Sequence, residues 1–578
     1  MRLRIVKDFV GVDMDDTINN SAIGTPVVQA AVFILILVLS THCFTTARYL
    51  FQSFSDRRYK GKEPTSLPYQ LPGVGSALQL VRNPHGFFDS VVRRVRDGEP
   101  IRIRLGNLHA YLISGSKNVQ HIFRCSRDLT FEEFALRVAH NVKGLPDADT
   151  ALVAKDLSGS STVSLTETNE EDRIWRKFHE LYETHLIGSN AVACLTDLFI
   201  GNVVEQFNHI RGRGWVECGV DDFMKDKMFR ASTVALAGPG VFDIDPEFAE
   251  TFWAYDKDFM SLLYGLPRFL CRSGWQARDR CLETVRRYLE KGWQNIDWSA
   301  TQDHNPNWEP NFGSKLVRER EVAMDKYGIT LQGRASFQMG LIWSINSNAI
   351  PMTSWIIIEI LRRPEIHQRI KAEVSTIINH ALLQSTDTTD PSSFSSVIDI
   401  PALKQLPLLN SIYLECLRLR SSVFVVRKLR NAVELDGYTL RAGNLILAPS
   451  YLAHKDETVW STPLHPAEEL WPERFMQQQK QQPGGGVDGK VGGPPNLHAG
   501  KFFPYGGGSA MCPGRNFAKL EILAAVALFF GSFEVEPLHF VDARGRYSDR
   551  GPEVGKEARG VARVDRDLKV RLRRIVKV

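Results

Sequence analysis

Cysteine is sparse and scattered in this chain. The eight cysteines among 578 residues stand at 43, 125, 194, 218, 271, 281, 416 and 512, with no CxxC pair and no grouping at metal-ligand spacing. Such spacing argues against a disulfide framework or a structural zinc site and implies reduced thiols in a cytosol-facing body. Charge of one sign is lacking too: 71 Lys and Arg are interspersed with 66 Asp and Glu, for a net charge of +5. Nothing in that balance favours nucleic-acid binding. Internal repeats are absent. What is present is the composition of a globular protein, 43% hydrophobic and 24% charged, in a chain long enough for a large core.

One apolar run stands out, Pro26 to Phe44, free of formal charge if His42 is neutral. As a helix it is about 28 Å long, enough to cross a hydrocarbon core. Its strictly apolar centre, Ala30 to Leu39, is short enough to compete as a signal-peptide core. Asp8, Asp13, Asp15 and Asp16 precede it, whereas Arg48, Arg57, Arg58, Lys60 and Lys62 follow. That asymmetry favours a signal anchor over a cleaved signal and places the body in the cytoplasm. The expected organisation is a lumenal segment (1–25, with an Asn19-Asn20-Ser21 sequon), a transmembrane anchor (26–44), a basic, proline-rich hinge (45–72) and a catalytic domain (73–578). Pro64, Pro68 and Pro72 block helix and stiffen that hinge.

Within the body, Ile101 to Gly106 and Ala110 to Ile113 read as a hairpin, and Lys569 to Arg573 as a late strand. Helical patterns dominate from about Glu180, with few strand signals before Leu435 to Ala448. Gln477 to Gly500, rich in Gln, Gly and Pro, is expected to be a solvated, disordered insertion.

The most informative stretch is Tyr505-Gly-Gly-Gly-Ser-Ala-Met-Cys512-Pro-Gly514-Arg515, leading into an apolar, helix-like run from Asn516 to Phe530. Glycines permit a sharp turn and close approach to a flat ligand, and the amides opening the next helix favour a thiolate at Cys512. This loop resembles the haem-ligand signature of the cytochrome P-450 family. The resemblance implies a mainly helical fold with small β-sheets, haem as cofactor and Cys512 as its axial iron ligand. Tyr505, Gly508 and Gly514 belong to the cofactor-binding loop it implies.

Three further constellations match. Glu415-Cys-Leu-Arg418 lies on a helical stretch from Leu408 to Leu419, and Pro472-Glu-Arg474-Phe supplies a second arginine. In the family these three form a buried structural triad, a carboxylate between two guanidiniums. A helix from Ala335 to Leu361 contains Trp343, Ser347, Asn348, Pro351 and Trp355. Most members carry an acid–threonine pair there for proton delivery; this chain has Ser347 and Asn348 instead, which become the candidate catalytic residues. The Trp, Asn, Pro, Trp spacing is similar to sterol 7α- and 12α-hydroxylases and prostacyclin synthase. On an early helix, Trp175, Arg176 and His179 stand where relatives hold a haem propionate, with histidine replacing the usual arginine; Arg427 matches another propionate position. Alanine at 510 departs from the basic residue common there.

The resemblance implies a membrane-anchored monooxygenase of the endoplasmic reticulum. It would oxidise a lipophilic terpenoid, steroid or polyketide with dioxygen and electrons from a nicotinamide-dependent reductase. The insertion and the altered early helix suggest fungal secondary metabolism. Two alternatives stay open: a haem-thiolate isomerase or dehydratase that rearranges a peroxide without reductase, and a non-catalytic haem-binding protein.

Overall fold

The computed structural model describes residues 24–55, 62–95, 98–210, 214–299, 306–383, 396–476, 500–555 and 559–575. Residues 1–23 of the segment expected to be lumenal, with its sequon, the flanking Arg57, Arg58 and Lys60, and residues 477–499 of the insertion lie outside the described residues.

A helix of 31 residues, Leu331–Leu361, runs through the centre. It is apolar on nearly every face, so it is buried almost throughout, as such a pattern requires. Thr330 caps its start by accepting from the Gly333 amide at 3.1 Å, and Asp149 accepts from the Thr330 amide at 3.0 Å. Around it pack helices Val220–Ala237, Arg272–Asn295, Pro407–Arg420 and Arg515–Ser532. Pro351 sits inside the central helix and deprives the Ser347 carbonyl of its usual donor. The helix continues regardless, with Thr353 and Ser354 hydroxyls donating to the carbonyls of Ala349 and Ile350 at 2.9 and 3.1 Å.

The sheets are small. The expected hairpin forms as Ile101–Leu105 against Leu108–Leu112, antiparallel. Leu445–Pro449 adds in parallel, then Phe424–Leu429 and Leu129–Thr130 antiparallel, completing five strands. The late strand spans Arg566–Arg574 and lies between Phe533–Asp542 and Val216–Gly219 in a four-stranded sheet.

The N-terminal helix runs from Gly24 to Ser55, beyond the apolar stretch. Its apolar side chains are bare: Phe33 is 66% exposed, and Val28–Ser53 is long and apolar enough to cross a membrane. Residues 45–55, assigned to the hinge from sequence, are helical because no Pro or Gly interrupts them. This end of the helix is docked on the body. Thr45 donates to the Tyr69 carbonyl at 2.9 Å, Tyr49 to the Arg94 carbonyl at 2.9 Å, and Gln52 accepts from the Ser66 amide at 3.2 Å. The proline strap is held as well, by Glu63 against Arg102 at 2.7 Å and the Tyr111 hydroxyl at 2.6 Å.

Candidate functional site

The glycine loop turns through left-handed backbone at Gly506 (φ +72°) and Gly508 (φ +69°). At position 507 a Cβ would fall 2.4 Å from the Phe123 ring, and at 508 it would fall 2.9 Å from the Phe123 carbonyl oxygen. Only glycine fits there. The loop closes through the Cys512 amide donating to the Tyr505 carbonyl at 3.0 Å. Tyr505 is not on the cavity; its hydroxyl meets that of Tyr413 at 2.5 Å and ties the loop to the helix Pro407–Arg420. Gly514 precedes the first turn of Arg515–Ser532. Cys512 is exposed, between Met511 and Pro513, which line the cavity described below. Although part of the residue is reached by solvent, the protein packed around the sulfur desolvates it and raises its thiol pKa, while the Gly514 and Arg515 amides and the Arg515 charge draw it down. A metal cation held at the sulfur would add the missing stabilisation of the thiolate.

Behind the loop, Glu415 is fully buried. Its Oε1 accepts from Arg418 at 2.8 Å, Arg474 at 2.9 Å and the Trp471 amide at 3.1 Å; its Oε2 accepts from Arg418 Nε at 2.9 Å. The remaining guanidinium donors go to carbonyls: Arg418 to His454 and Ala467, at 2.8 and 2.6 Å, and Arg474 to Trp460, Pro466 and Glu469. His454 in turn accepts from the Phe503 amide at 3.0 Å, just before the glycine loop. Its pKa is pushed down to about 3 by burial and Arg418.

A cavity of about 590 Å³ lies between the ligand loop and the central helix. Asn348 and Ser344, one helical turn apart, line it together. Ser347 does not. Rotated a third of a turn from Asn348, it is completely buried, and its hydroxyl has no hydrogen-bond partner among the described residues. Asn348 Oδ1 accepts from the Val561 amide at 2.9 Å, so the donor side of its amide is the NH2 group. The segment carrying Val561 is fastened through Asp256: Arg563 donates to both carboxylate oxygens at 2.9 Å, and Trp343 Nε1 to Oδ1 at 3.0 Å. Burial pushes the Asp256 pKa up, but Arg563 and Arg559 outweigh it and hold the group below the usual range. Trp343 stacks on Phe259 at 4.6 Å. Sequence reasoning missed Asp256 and Arg563, which are 307 residues apart. Ser344 was legible in principle, four residues before Asn348.

Trp175 and His179 both line the cavity from helix Ile174–Tyr182. Arg176 does not; it is turned to Glu183 at 3.0 Å, which also lies 3.4 Å from His179. Arg427 is buried on the strand Phe424–Leu429, donating to the carbonyls of Val426 (2.8 Å) and Gly507 (3.4 Å). Among the described residues it forms no ion pair, and burial lowers its pKa to about 10. A buried guanidinium that hydrogen-bonds only carbonyls and lies over the Phe131 ring at 5.0 Å is suited to a carboxylate-bearing ligand. With the glycine cradle and the accessible thiol, the donor set fits a haem with propionates.

The comparisons agree with this geometry. The family model described as Cytochrome P450 matches residues 347–554. The chain is 30% identical over 519 residues to Cytochrome P450 monooxygenase calL of Penicillium decumbens, covering 89% of this chain and 93% of that one. It is 27% identical to Cytochrome P450 monooxygenase efuG of Hormonema carpetanum (82% and 85% covered) and 24% identical to Cholesterol 7-alpha-monooxygenase of Cricetulus griseus (84% and 89%). Among solved structures, retinoic acid-bound cyanobacterial CYP120A1 superposes with a TM-score of 0.60 at 18% identity, over 90% of this chain and all of that one.

Proposed function

The chain belongs to the cytochrome P450 family and is a haem-thiolate monooxygenase, and from that premise we propose that it oxidises a C–H bond of a lipophilic terpenoid, steroid or polyketide in fungal secondary metabolism. Bound haem supplies the oxygen-activating chemistry. In this reading Cys512 holds the iron, and Arg427, Trp175 and His179 hold the propionates, with Arg176 kept at a distance by Glu183. Asn348 directs its amide donor into the cavity beside Ser344, ordering water or substrate, while Ser347 supports the helix from inside. Glu415, Arg418 and Arg474 fix the ligand loop from behind.

The observation that carries the reading is the cavity itself, bounded by Met511 and Pro513 on one side and by Asn348 and Ser344 on the other. Comparing metabolites of strains with and without the gene tests it: a substrate one oxygen atom poorer than its product accumulates in the deletion strain. No oxidised product lost on deletion speaks against it.

Electrons come from a nicotinamide-dependent reductase in this proposal. The helix Gly24–Ser55 serves as a single-pass anchor in the endoplasmic reticulum, with 73–578 facing the cytoplasm and 1–25 the lumen. A second reading, peroxide rearrangement without reductase, is favoured by one observation: no acid–threonine pair stands at 347 and 348. Turnover of a hydroperoxide without reduced nicotinamide decides for it.

A further inference from the structure

Lys143 lines the same cavity from the segment after helix Glu132–Asn141. Its side chain lies across the central helix where that helix has no side chain. A Cβ on Gly340 would come within 2.6 Å of Lys143 Nζ and Cδ. Among the described residues, the ammonium makes neither an ion pair nor a hydrogen bond.

The other charged groups on the cavity wall are spoken for. Glu132 accepts from Thr130 at 2.6 Å and twice from Ser160 at 3.0 Å. Arg563 and Arg559 are bound to Asp256. Arg320, the cation nearest in influence, is engaged with Gln338 and the Tyr182 hydroxyl. Among the described residues nothing negative therefore faces Lys143, and burial draws its pKa down to about 8. An enclosed cation without a counter-charge is costly, and its place on a ligand cavity marks it as a binding group.

We propose that the substrate carries a carboxylate, and that Lys143, laid over Gly340, binds it. The inference rests on the monooxygenase reading and adds a substrate class to it. Gly340 precedes Asn348 by eight residues, so the carboxylate would sit about 12 Å along the helix from Asn348. Apolar residues such as Phe134, Phe337 and Leu263 line the space and suit a hydrocarbon body.

The test uses the full-length, haem-loaded protein in detergent. Dodecanoate, hexadecanoate and 5β-cholanate are each titrated beside their methyl esters, following the spin-state change of the Soret band. At least one acid should bind about tenfold or more tightly than its ester. Lys143→Met should abolish that preference and Lys143→Arg should retain most of it, both keeping the thiolate-type band of the reduced carbon monoxide complex. No acid binding more tightly than its ester, or a preference surviving in Lys143→Met, overturns the proposal. The acid–ester comparison in the wild type stands whether or not the Met variant folds. A wild type without the thiolate-type band removes the haem reading and this inference together.

Discussion

The Glu415 carboxylate lies 2.8 Å from Arg418 on its own helix and 2.9 Å from Arg474, 59 residues further on, with none of the three more than 3% exposed. One buried anion thus joins the helix Pro407–Arg420 to the segment leading to the ligand loop. Arg474→Met strands that carboxylate beside a single partner and should destabilise the fold by about 3–5 kcal/mol. Arg474→Lys should not rescue it, since an ammonium cannot reproduce the donors shared among Glu415, Trp460, Pro466 and Glu469. Chemical denaturation, with yield of the carbon monoxide complex as a second readout, checks this.

Arg427 is expected to lower the cost of placing a propionate in protein. Arg427→Met should leave folding intact but speed loss of haem to an acceptor apoprotein about tenfold or more. The rate of haem transfer measures it.

Asn348 performs two tasks that substitutions can separate. Asn348→Asp keeps the acceptor for the Val561 amide but removes the NH2 donor. It should keep the unfolding midpoint while diverting reducing equivalents from product to peroxide, with product formation falling about tenfold or more. Asn348→Ala should lose both. Peroxide released per nicotinamide oxidised, read beside thermal unfolding, distinguishes the variants.

Glu521 gives a pH signature. It is completely buried, accepts from Ser232 through one oxygen and, among the described residues, leaves the other without a partner. Burial raises its pKa from 4.5 to about 8, despite Ser232. The folded state then holds a proton that the unfolded state has released. The stability tied to that proton is complete below pH 4.5 and is lost as pH rises towards 8. Glu521→Gln should therefore match the wild type at pH 4.5 and melt higher at pH 8.5. A higher midpoint at both values, or at neither, contradicts this.

The N-terminal helix has an apolar half and a docked half. Removing residues 1–43 should shift the protein from membrane to soluble fractions with little change in stability. Removing 1–61 should also lower the unfolding midpoint, because the contacts of Thr45, Tyr49 and Gln52 with the body disappear. Fractionation and melting curves follow both effects.

Much of the site was legible because its groups announce themselves locally. The glycine loop, the i,i+3 spacing of Glu415 and Arg418, and the Trp343, Asn348, Pro351, Trp355 spacing of the central helix are properties of short stretches. Ser347 was misleading for the same reason: sequence adjacency to Asn348 says nothing about facing the same way, and a helix turns it into the core. Asp256 with Arg563, and Lys143 over Gly340, depend on tertiary contacts between distant segments. No local pattern encodes them. The hinge boundary slipped because hydropathy stops at Phe44 while helix-compatible residues continue to Ser55.

The central claim is that Cys512 holds a haem iron through its sulfur. The direct measurement is the absorption spectrum of the purified full-length chain, reduced and exposed to carbon monoxide, beside Cys512→Ala. A strongly red-shifted Soret band in the wild type and none in the variant is the predicted result. A colourless wild type, or the same band in both proteins, would contradict it.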